Sequence, residues 1–253
     1  MKKRYMLTVA YDGTAYCGFQ VQTSQPTVEG ELNRCLSELL GEEIRVIGAS
    51  RTDTGVHALC NVAVFDADTA IPAPKLAYAL NQRLPEDIRI RASREVSADF
   101  HPRHCNARKT YEYRITRGNF PIPTKRLYSY FTYHVVNVAA MEEAAAFLVG
   151  EHDFKSFCAA ATDVESTVRM IYSVTVEEQN EDVVIRVCGN GFLYNMVRIM
   201  AGTLLEIGQG KRLPESIRDI LAAEDRRAAG PTAPACGLML VDYVFLGKTN
   251  IRP

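Results

Sequence analysis

Long hydrophobic runs, closely spaced cysteine pairs and a large net charge are all missing from this sequence of 253 residues. No apolar run approaches the ~18 residues that a membrane-spanning helix needs, and the N-terminal segment is too short and too polar for a signal peptide. The seven cysteines are scattered singly, without a Cys-x-x-Cys pair, which is typical of reduced thiols. We therefore expect a cytoplasmic protein without a membrane segment.

The net charge of −1 gives no whole-chain argument for nucleic-acid binding, but charge is unevenly distributed. Residues 101–127 contain seven basic residues and one acidic residue, Glu112, interleaved with aromatic side chains. Basic side chains neutralise phosphates and aromatic faces stack on bases, so this stretch predicts a basic RNA face, with a plain solvated surface as the alternative. Acidic residues gather elsewhere, for example at 177, 178, 181 and 182. The seven basic residues are Arg103, Arg108, Lys109, Arg114, Arg117, Lys125 and Arg126.

Three potential metal ligands, His101, His104 and Cys105, lie close together in the same stretch. They lack the Cys-x-x-Cys or His-x-x-x-His partners that a closed tetrahedral zinc site requires. We therefore assign these residues to the basic face and expect no metal.

Hydrophobic periodicity and turn residues predict the order β-α-β-β-α-β over the first hundred residues. The predicted strands are 4–11, 44–47, 59–65 and 88–92, with helices beginning near Thr27 and Pro72. The second half has strand patterns at 110–116, 127–135, 168–177, 183–187 and 238–245, and helix patterns at 141–149, 193–207 and from Pro214.

This element order is the split unit of a ferredoxin-like layer, and its repetition predicts an α+β fold. We expect two ferredoxin-like β-α-β-β-α-β half-domains side by side, residues 1–100 and 101–253. The sheet should be mostly antiparallel, with helices on one face and an active-site cleft between the halves.

Residues 48–58, with the sequence GASRTDTGVHA, form a polar segment between two predicted strands. Gly55 permits a sharp turn just past Asp53, and loops held by strands at both ends commonly carry catalytic side chains. A purely structural turn is one alternative. An aspartic-protease triplet is another, but that chemistry needs two carboxylates and the chain has no second Asp-Thr-Gly. The charge of Arg51 would also keep Asp53 ionised and oppose a shared proton.

The string RTDTGVHA at 51–58 is accompanied by further strings along the chain. They are LTVAYDGT at 7–14 with GFQ at 18–20, KTYEYR at 109–114, GFLYNMVR at 191–198 and PACGL at 234–238. Together and in this order, they resemble the motifs of the TruA family of tRNA pseudouridine synthases. Ser50 stands where Gly is common and Thr54 where Ala is usual, departures that concern fine RNA specificity rather than the reaction.

The resemblance implies an isomerase that breaks the glycosidic bond of uridine and joins the sugar to C5 instead. No electrons or energy carrier are needed, so no cofactor is implied. Asp53 stands at the position of the family's nucleophile, and the sequence does not decide whether it attacks the sugar or the base. Arg198 stands at the position of the cation that favours the ionised carboxylate. Tyr111 stands at the position of a tyrosine that stacks on the base and touches it during proton transfer from C5.

Two further residues receive roles from the same reasoning. Arg51 should help to hold the target nucleotide out of its stack, and Leu238 should pack on the flipped base. Core packing is the alternative for Leu238 and Tyr111, and a surface position on an amphipathic helix is the alternative for Arg198. His57 could act as a general base or simply structure the loop.

The helix that carries Arg198 has a predicted core stripe at residues 196, 200 and 204. Residues 194, 198 and 202 should share a face away from that stripe, and such a face could look into the cleft.

By resemblance, the partner is tRNA, the targets are uridines at anticodon stem-loop positions 38, 39 and 40, and the enzyme is a homodimer. An alternative from another class is a non-catalytic RNA-binding protein on a ferredoxin-like scaffold. Its sheet would carry paired surface aromatics, a pattern that no strand of this sequence shows.

Overall fold

The structure, a computed structural model, describes residues 2–159 and 165–246 and places them in two compact units. The first unit contains the chain up to residue 107 and the residues from 240 onward, and the second contains residues 108–239. The last strand therefore contributes mainly to the first unit, whereas the sequence-based division at 100 and 101 assigned the whole C-terminus to the second half.

The first unit has the predicted β-α-β-β-α-β order. Its strands follow the order β4-β1-β3-β10, and both β3 and β4 run antiparallel to β1. A short strand, β2, pairs antiparallel with β3. The elements are β1 (Lys3–Tyr11), α1 (Val28–Leu40), β2 (Ile47–Gly48), β3 (His57–Ala67), α2 (Leu76–Asn81), β4 (Ile88–Val96) and, from the C-terminus, β10 (Leu238–Phe245).

Helix α1 forms where local signals predict it. The Thr27 hydroxyl accepts a hydrogen bond from the Gly30 amide at 3.2 Å, and acidic residues occupy the first turn, where the helix dipole favours them. Gly41 ends the helix in the left-handed region with φ of 71°. The buried face consists of Val28, Leu32, Cys35 and Leu36.

The strand predicted at 44–47 is largely an irregular segment. Ile44 and Val46 are buried, but their amides donate to the Ser37 hydroxyl and the Asn33 side chain of α1, at 2.9 and 2.8 Å. These side chains accept the amide hydrogen bonds that carbonyls of a neighbouring strand would otherwise accept, so only Ile47–Gly48 pair with β3.

The second unit has the strand order β7-β8-β9-β5, with the short β6 parallel to β5. Sequence reasoning missed β7, since its four residues, Gly-Glu-His-Asp, have no apolar alternation; pairing with β8 makes it a strand. The elements are β5 (Ala107–Arg117), β6 (Tyr130–Thr132), α3 (Val138–Ala146), β7 (Gly150–Asp153), β8 (Val168–Gln179), β9 (Asp182–Gly189), α4 (Met196–Gly208) and α5 (Ser216–Ala223). The predicted α+β class is confirmed.

Candidate active site

Asp53 lies in the loop of residues 49–56 that connects β2 to β3. Its side chain is half-buried, while those of Arg51 and Thr54 are exposed and that of Thr52 is buried. The Val56 amide donates to the Asp53 carbonyl at 3.1 Å, and Gly55 adopts φ of 76°, so the chain turns back directly after Asp53. This sharp turn is the one that the sequence predicted at Gly55.

A buried hydrogen-bond network holds the residues before Asp53. The Asn61 side chain of β3 is fully buried; its amide nitrogen donates to the Ser50 carbonyl at 2.9 Å, and its oxygen accepts from the Ser50 amide at 3.2 Å. Asn61 also donates to the Tyr11 hydroxyl at 3.1 Å, and that hydroxyl lies 2.7 Å from the Thr52 hydroxyl. Both loop residues that flank Arg51 are therefore attached to the strand framework.

The N-terminal segment, residues 12–20, packs closely against the same loop. The Phe19 amide donates to the Thr52 carbonyl at 3.1 Å, and the Gly55 amide donates to the Tyr16 carbonyl at 3.2 Å. Gly18 has φ of 90°, and a Cβ there would lie 2.6 Å from the Thr52 carbonyl oxygen. The close approach therefore requires glycine at position 18. This packing explains why the string GFQ at 18–20 accompanies the string RTDTGVHA at 51–58.

His57 is buried at the start of β3 and structures the loop. Its Nδ1 accepts a hydrogen bond from the Gly13 amide at 3.0 Å and lies 3.1 Å from an Asp12 carboxylate oxygen. Both contacts join the His57 ring to the N-terminal segment. Of the two interpretations of His57, the geometry favours loop structuring.

Tyr111 lies on β5 in the second unit and is 8% exposed. Its ring makes an edge contact with Phe192, with 5.1 Å between centroids. Two residues along, Tyr113 is fully buried and its hydroxyl donates to the Pro234 carbonyl at 2.9 Å. Burial raises the pKa of Tyr113, so this hydroxyl stays a donor at neutral pH.

Arg198 lies in the first turn of α4 and is half-buried. Its Nε donates to the Ala233 carbonyl at 2.8 Å, and one Nη donates to the Asn195 side chain at 2.8 Å. The helix face predicted to lie open is partly covered, because Gly202 is buried so tightly against the Pro231 carbonyl that a Cβ would collide with it. Eleven of the thirteen residues of α4 are buried, and the two that are not, Arg198 and Glu206, lie on the face predicted to point away from the core stripe.

Leu238 begins β10 and is buried. The residues just before it contact both neighbouring site elements, because a Cβ on Gly237 would lie 2.7 Å from the Tyr113 ring, and Ala233 binds Arg198. The segment 233–238 therefore brings together the strand of Tyr111, the helix of Arg198 and Leu238 within the second unit. Asp53 and Arg51 belong to the first unit.

The basic stretch is less positive than its sequence suggests. Arg114 and Lys125 bind the buried Asp182 at 3.0 and 2.9 Å, and Arg117 binds Glu178. Pairing of β5 with β9 and of β9 with β8 places the acidic residues at 177–182 beside these basic side chains, so the two clusters lie together in the fold. Of the seven basic residues, Arg103, Arg108 and Arg126 are exposed and make no ion pair within the described residues.

The stacked rings of His101 and His104 lie 4.0 Å apart between centroids, and the Cys105 thiol donates to the His101 carbonyl at 3.2 Å. In the part of the chain that the structure describes, no group of three or more His, Cys, Asp or Glu side chains is arranged to hold a metal ion. None of the helices in that part is long and apolar enough to cross a membrane.

Three site residues escaped sequence reasoning. Tyr11 and Asn61 contact the loop from 41 and 11 residues away, and their roles are visible only once β1 and β3 pair. Arg103 was counted only as one of seven basic residues, yet its Nε donates to the Gly48 carbonyl at 2.7 Å, where the Asp53 loop begins. Of these three residues, only Tyr11 could have been singled out from the sequence, because it lies in the N-terminal string LTVAYDGT.

Comparison with known proteins gives consistent matches. A family profile described as tRNA pseudouridine synthase matches residues 7–104 and 144–245. The chain is 48% identical over 243 residues to tRNA pseudouridine synthase A of Brevibacillus brevis, covering 96% of this chain and 100% of that protein. It is 44% identical over 243 residues to the protein of the same name from a Thermoanaerobacter species, with the same coverage. The Halalkalibacterium halodurans protein of that name is 46% identical over 238 residues, covering 94% of this chain and 90% of that protein.

Proposed function

Because the chain belongs to the tRNA pseudouridine synthase family, we propose that it isomerises uridine to pseudouridine in tRNA with Asp53 as the nucleophile. The bond between C1′ and N1 breaks, a bond between C1′ and C5 forms, C5 loses a proton and N1 gains one. The atoms balance without an oxidant, reductant or energy carrier, so the proposed reaction uses no cofactor.

The observation that carries this proposal is the way in which Asp53 is held. Its loop is attached through the Asn61 side chain to Ser50 and through the Tyr11 hydroxyl to Thr52, all of them buried. A catalytic carboxylate must be held near its target, since a misplacement of about 1 Å can cost about a hundredfold in rate. A turn that served only to connect two strands would not need a buried polar network beneath it.

In this proposal Arg198 supplies the cation that favours the ionised form of Asp53, and Tyr111 contacts the uracil during proton transfer. Arg51 holds the flipped nucleotide, and its exposed guanidinium is suited to that role. Leu238 packs on the base. Nucleophilic attack at C1′ and attack at the uracil ring both use the same ionised carboxylate.

The proposal further specifies anticodon stem-loop positions 38, 39 and 40 as targets. We also propose that the enzyme is a cytoplasmic homodimer and that the two ferredoxin-like halves of each chain act together on one uridine. The support for these details is the match of the five sequence strings to the family. Transcripts that retain uridine at only one of the three positions test the target sites separately.

The experiment that tests the function compares wild type with Asp53→Asn on an unmodified tRNA transcript, with EDTA and no added cofactor. Asparagine is an equally good turn residue but cannot act as a carboxylate nucleophile. We expect pseudouridine formation in wild type and none in Asp53→Asn, with tRNA affinity and melting temperature close to wild type. Asp99→Asn, at an exposed carboxylate of the same unit, is the matched control and should remain active.

Two results would count against the proposal. If Asp53→Asn keeps its activity to within a few-fold, Asp53 only shapes the turn and the mechanism is wrong. If wild type binds tRNA but forms no pseudouridine, the non-catalytic RNA-binding alternative is favoured.

A further inference from the structure

Arg103 is fixed at the start of the loop that carries Asp53. Its Nε donates to the carbonyl of Gly48, the last residue of β2, at 2.7 Å. Gly48 packs against the Phe19 ring, because a Cβ at this position would collide with the ring. One edge of the Arg103 guanidinium is thus anchored, and its two Nη groups have no hydrogen-bond acceptor among residues 2–159 and 165–246.

Arg51 brings a second guanidinium to the same loop. It is exposed and makes no hydrogen bond or ion pair within those described residues. Partial burial, and then the nearby charge of Arg51, lower the pKa of Arg103. Both guanidinium groups stay charged at neutral pH, so they repel each other.

Three other arginines of the first unit pair with carboxylates, whereas Arg83, Arg89 and Arg91 donate to backbone carbonyls. Arg4 binds Asp66 at 2.7 Å, Arg34 binds Glu31 at 2.8 Å, and Arg45 binds Glu43 at 2.7 Å. The acidic residue that acts on Arg103 is Glu29, which raises the Arg103 pKa less than Arg51 lowers it. The Glu29 carboxylate also accepts a hydrogen bond from the Val21 amide at 2.7 Å. Two like charges beside one loop repel each other, so both would gain from a bound anion.

We propose that Arg51 and Arg103 together bind one backbone phosphate of the RNA, next to the nucleotide presented to Asp53. This proposal rests on the proposed function, since it takes tRNA as the ligand. The planar fork of a guanidinium matches phosphate oxygens bidentately, and charge-assisted hydrogen bonds of this kind are short and strong. A phosphate held at the base of the loop would fix the backbone about which the target nucleotide rotates out of its stack.

The first test measures tRNA affinity against salt concentration for wild type, Arg103→Gln, Arg51→Gln and the double variant. Loss of one phosphate contact should reduce the slope of log K against log salt by about 0.7–0.9. Because both residues hold the same phosphate, the double variant should lose little more slope than either single variant. Arg45→Gln removes an exposed but ion-paired arginine and should keep the wild-type slope.

The second test identifies the phosphate itself. Single phosphates on either side of the target uridine are replaced by neutral methylphosphonates. Wild type should lose about tenfold in affinity at one of these positions, whereas Arg103→Gln should lose nothing further there. Glutamine can still donate to the Gly48 carbonyl, so the melting temperature should not change. Arg103→Lys, which keeps the charge but not the fork, should lie between Arg103→Gln and wild type in affinity.

A wild-type salt slope in Arg103→Gln, or full sensitivity of that variant to every methylphosphonate, would overturn the proposal. A slope loss in the double variant equal to the sum of the two singles would assign the residues to different phosphates and also overturn it. Pseudouridine formation by wild type at saturating tRNA is measured in parallel. Its absence would refute the proposed function, while its presence with unchanged Arg103→Gln binding would refute only the phosphate site.

Discussion

Tyr11→Phe tests whether the buried network beneath the Asp53 loop serves catalysis. The substitution removes a single oxygen that has two partners, the Thr52 hydroxyl at 2.7 Å and the Asn61 amide nitrogen at 3.1 Å. Burial raises the pKa of Tyr11, so its hydroxyl remains protonated. Asn61 donates to this oxygen, and either hydroxyl of the Tyr11–Thr52 pair can donate to the other.

The expected loss of stability depends on which hydrogen bonds Thr52 and Asn61 keep in Tyr11→Phe. Asn61 retains its bond to the Ser50 carbonyl, so the main loss falls on the buried Thr52 hydroxyl. An orphaned buried polar group costs about 1–3 kcal/mol. For a protein of this size, a middle value of about 2 kcal/mol corresponds to a fall in melting temperature of about 4–8 °C. Because Thr52 precedes Asp53, we also expect kcat to fall about tenfold or more, with KM nearly unchanged.

The assay combines a thermal melt with steady-state pseudouridine formation. Tyr16→Phe is the control, since its hydroxyl binds Asp87 at 2.7 Å and does not touch Thr52. It should lose stability but keep kcat. Adding Thr52→Val to Tyr11→Phe removes the orphaned hydroxyl and should recover part of the stability. A Tyr11→Phe variant with wild-type kcat would refute the positioning role.

Two further predictions concern the second unit. Arg198→Leu keeps the apolar stem of the side chain and removes its charge, so the protein should stay folded and lose most of its turnover. Near-normal turnover in the folded variant would show that Asp53 needs no such partner. Asp182→Asn should lower the free energy of unfolding by about 1–3 kcal/mol, because Lys125 and Arg114 lose a buried partner and solvent partly screens them. Burial opposes ionisation of Asp182, but hydrogen bonds from Lys125, Thr116 and Arg114 outweigh it and hold its pKa below the ordinary value. A depressed pKa contributes stability above about pH 4 that is lost as pH falls through the folded-state value, so wild type and Asp182→Asn should converge in acid unfolding. A constant difference between them down to pH 2 would contradict this assignment.

Local signals in the sequence determined the helices and most strands of this protein. Thr27 and Gly41 bound α1 because capping depends on residues within one turn, and the first unit has the predicted order of elements. The sequence also identified Asp53 and its neighbours as candidate site residues, since they form one continuous string. A match of that kind needs no tertiary information.

Only the tertiary structure decided which distant residues meet. The acidic residues at 177–182 are far along the chain from the basic residues at 114–125, but strand pairing places them in contact. The 230–233 segment covers part of the α4 face that helical periodicity assigned to the outside. Tyr11, Asn61 and Arg103 reach the Asp53 loop through β-sheet register and a backbone carbonyl. Hydrogen bonds and ion pairs between residues far apart in sequence depend on how strands align and segments pack, and a pattern read along one chain carries no record of either.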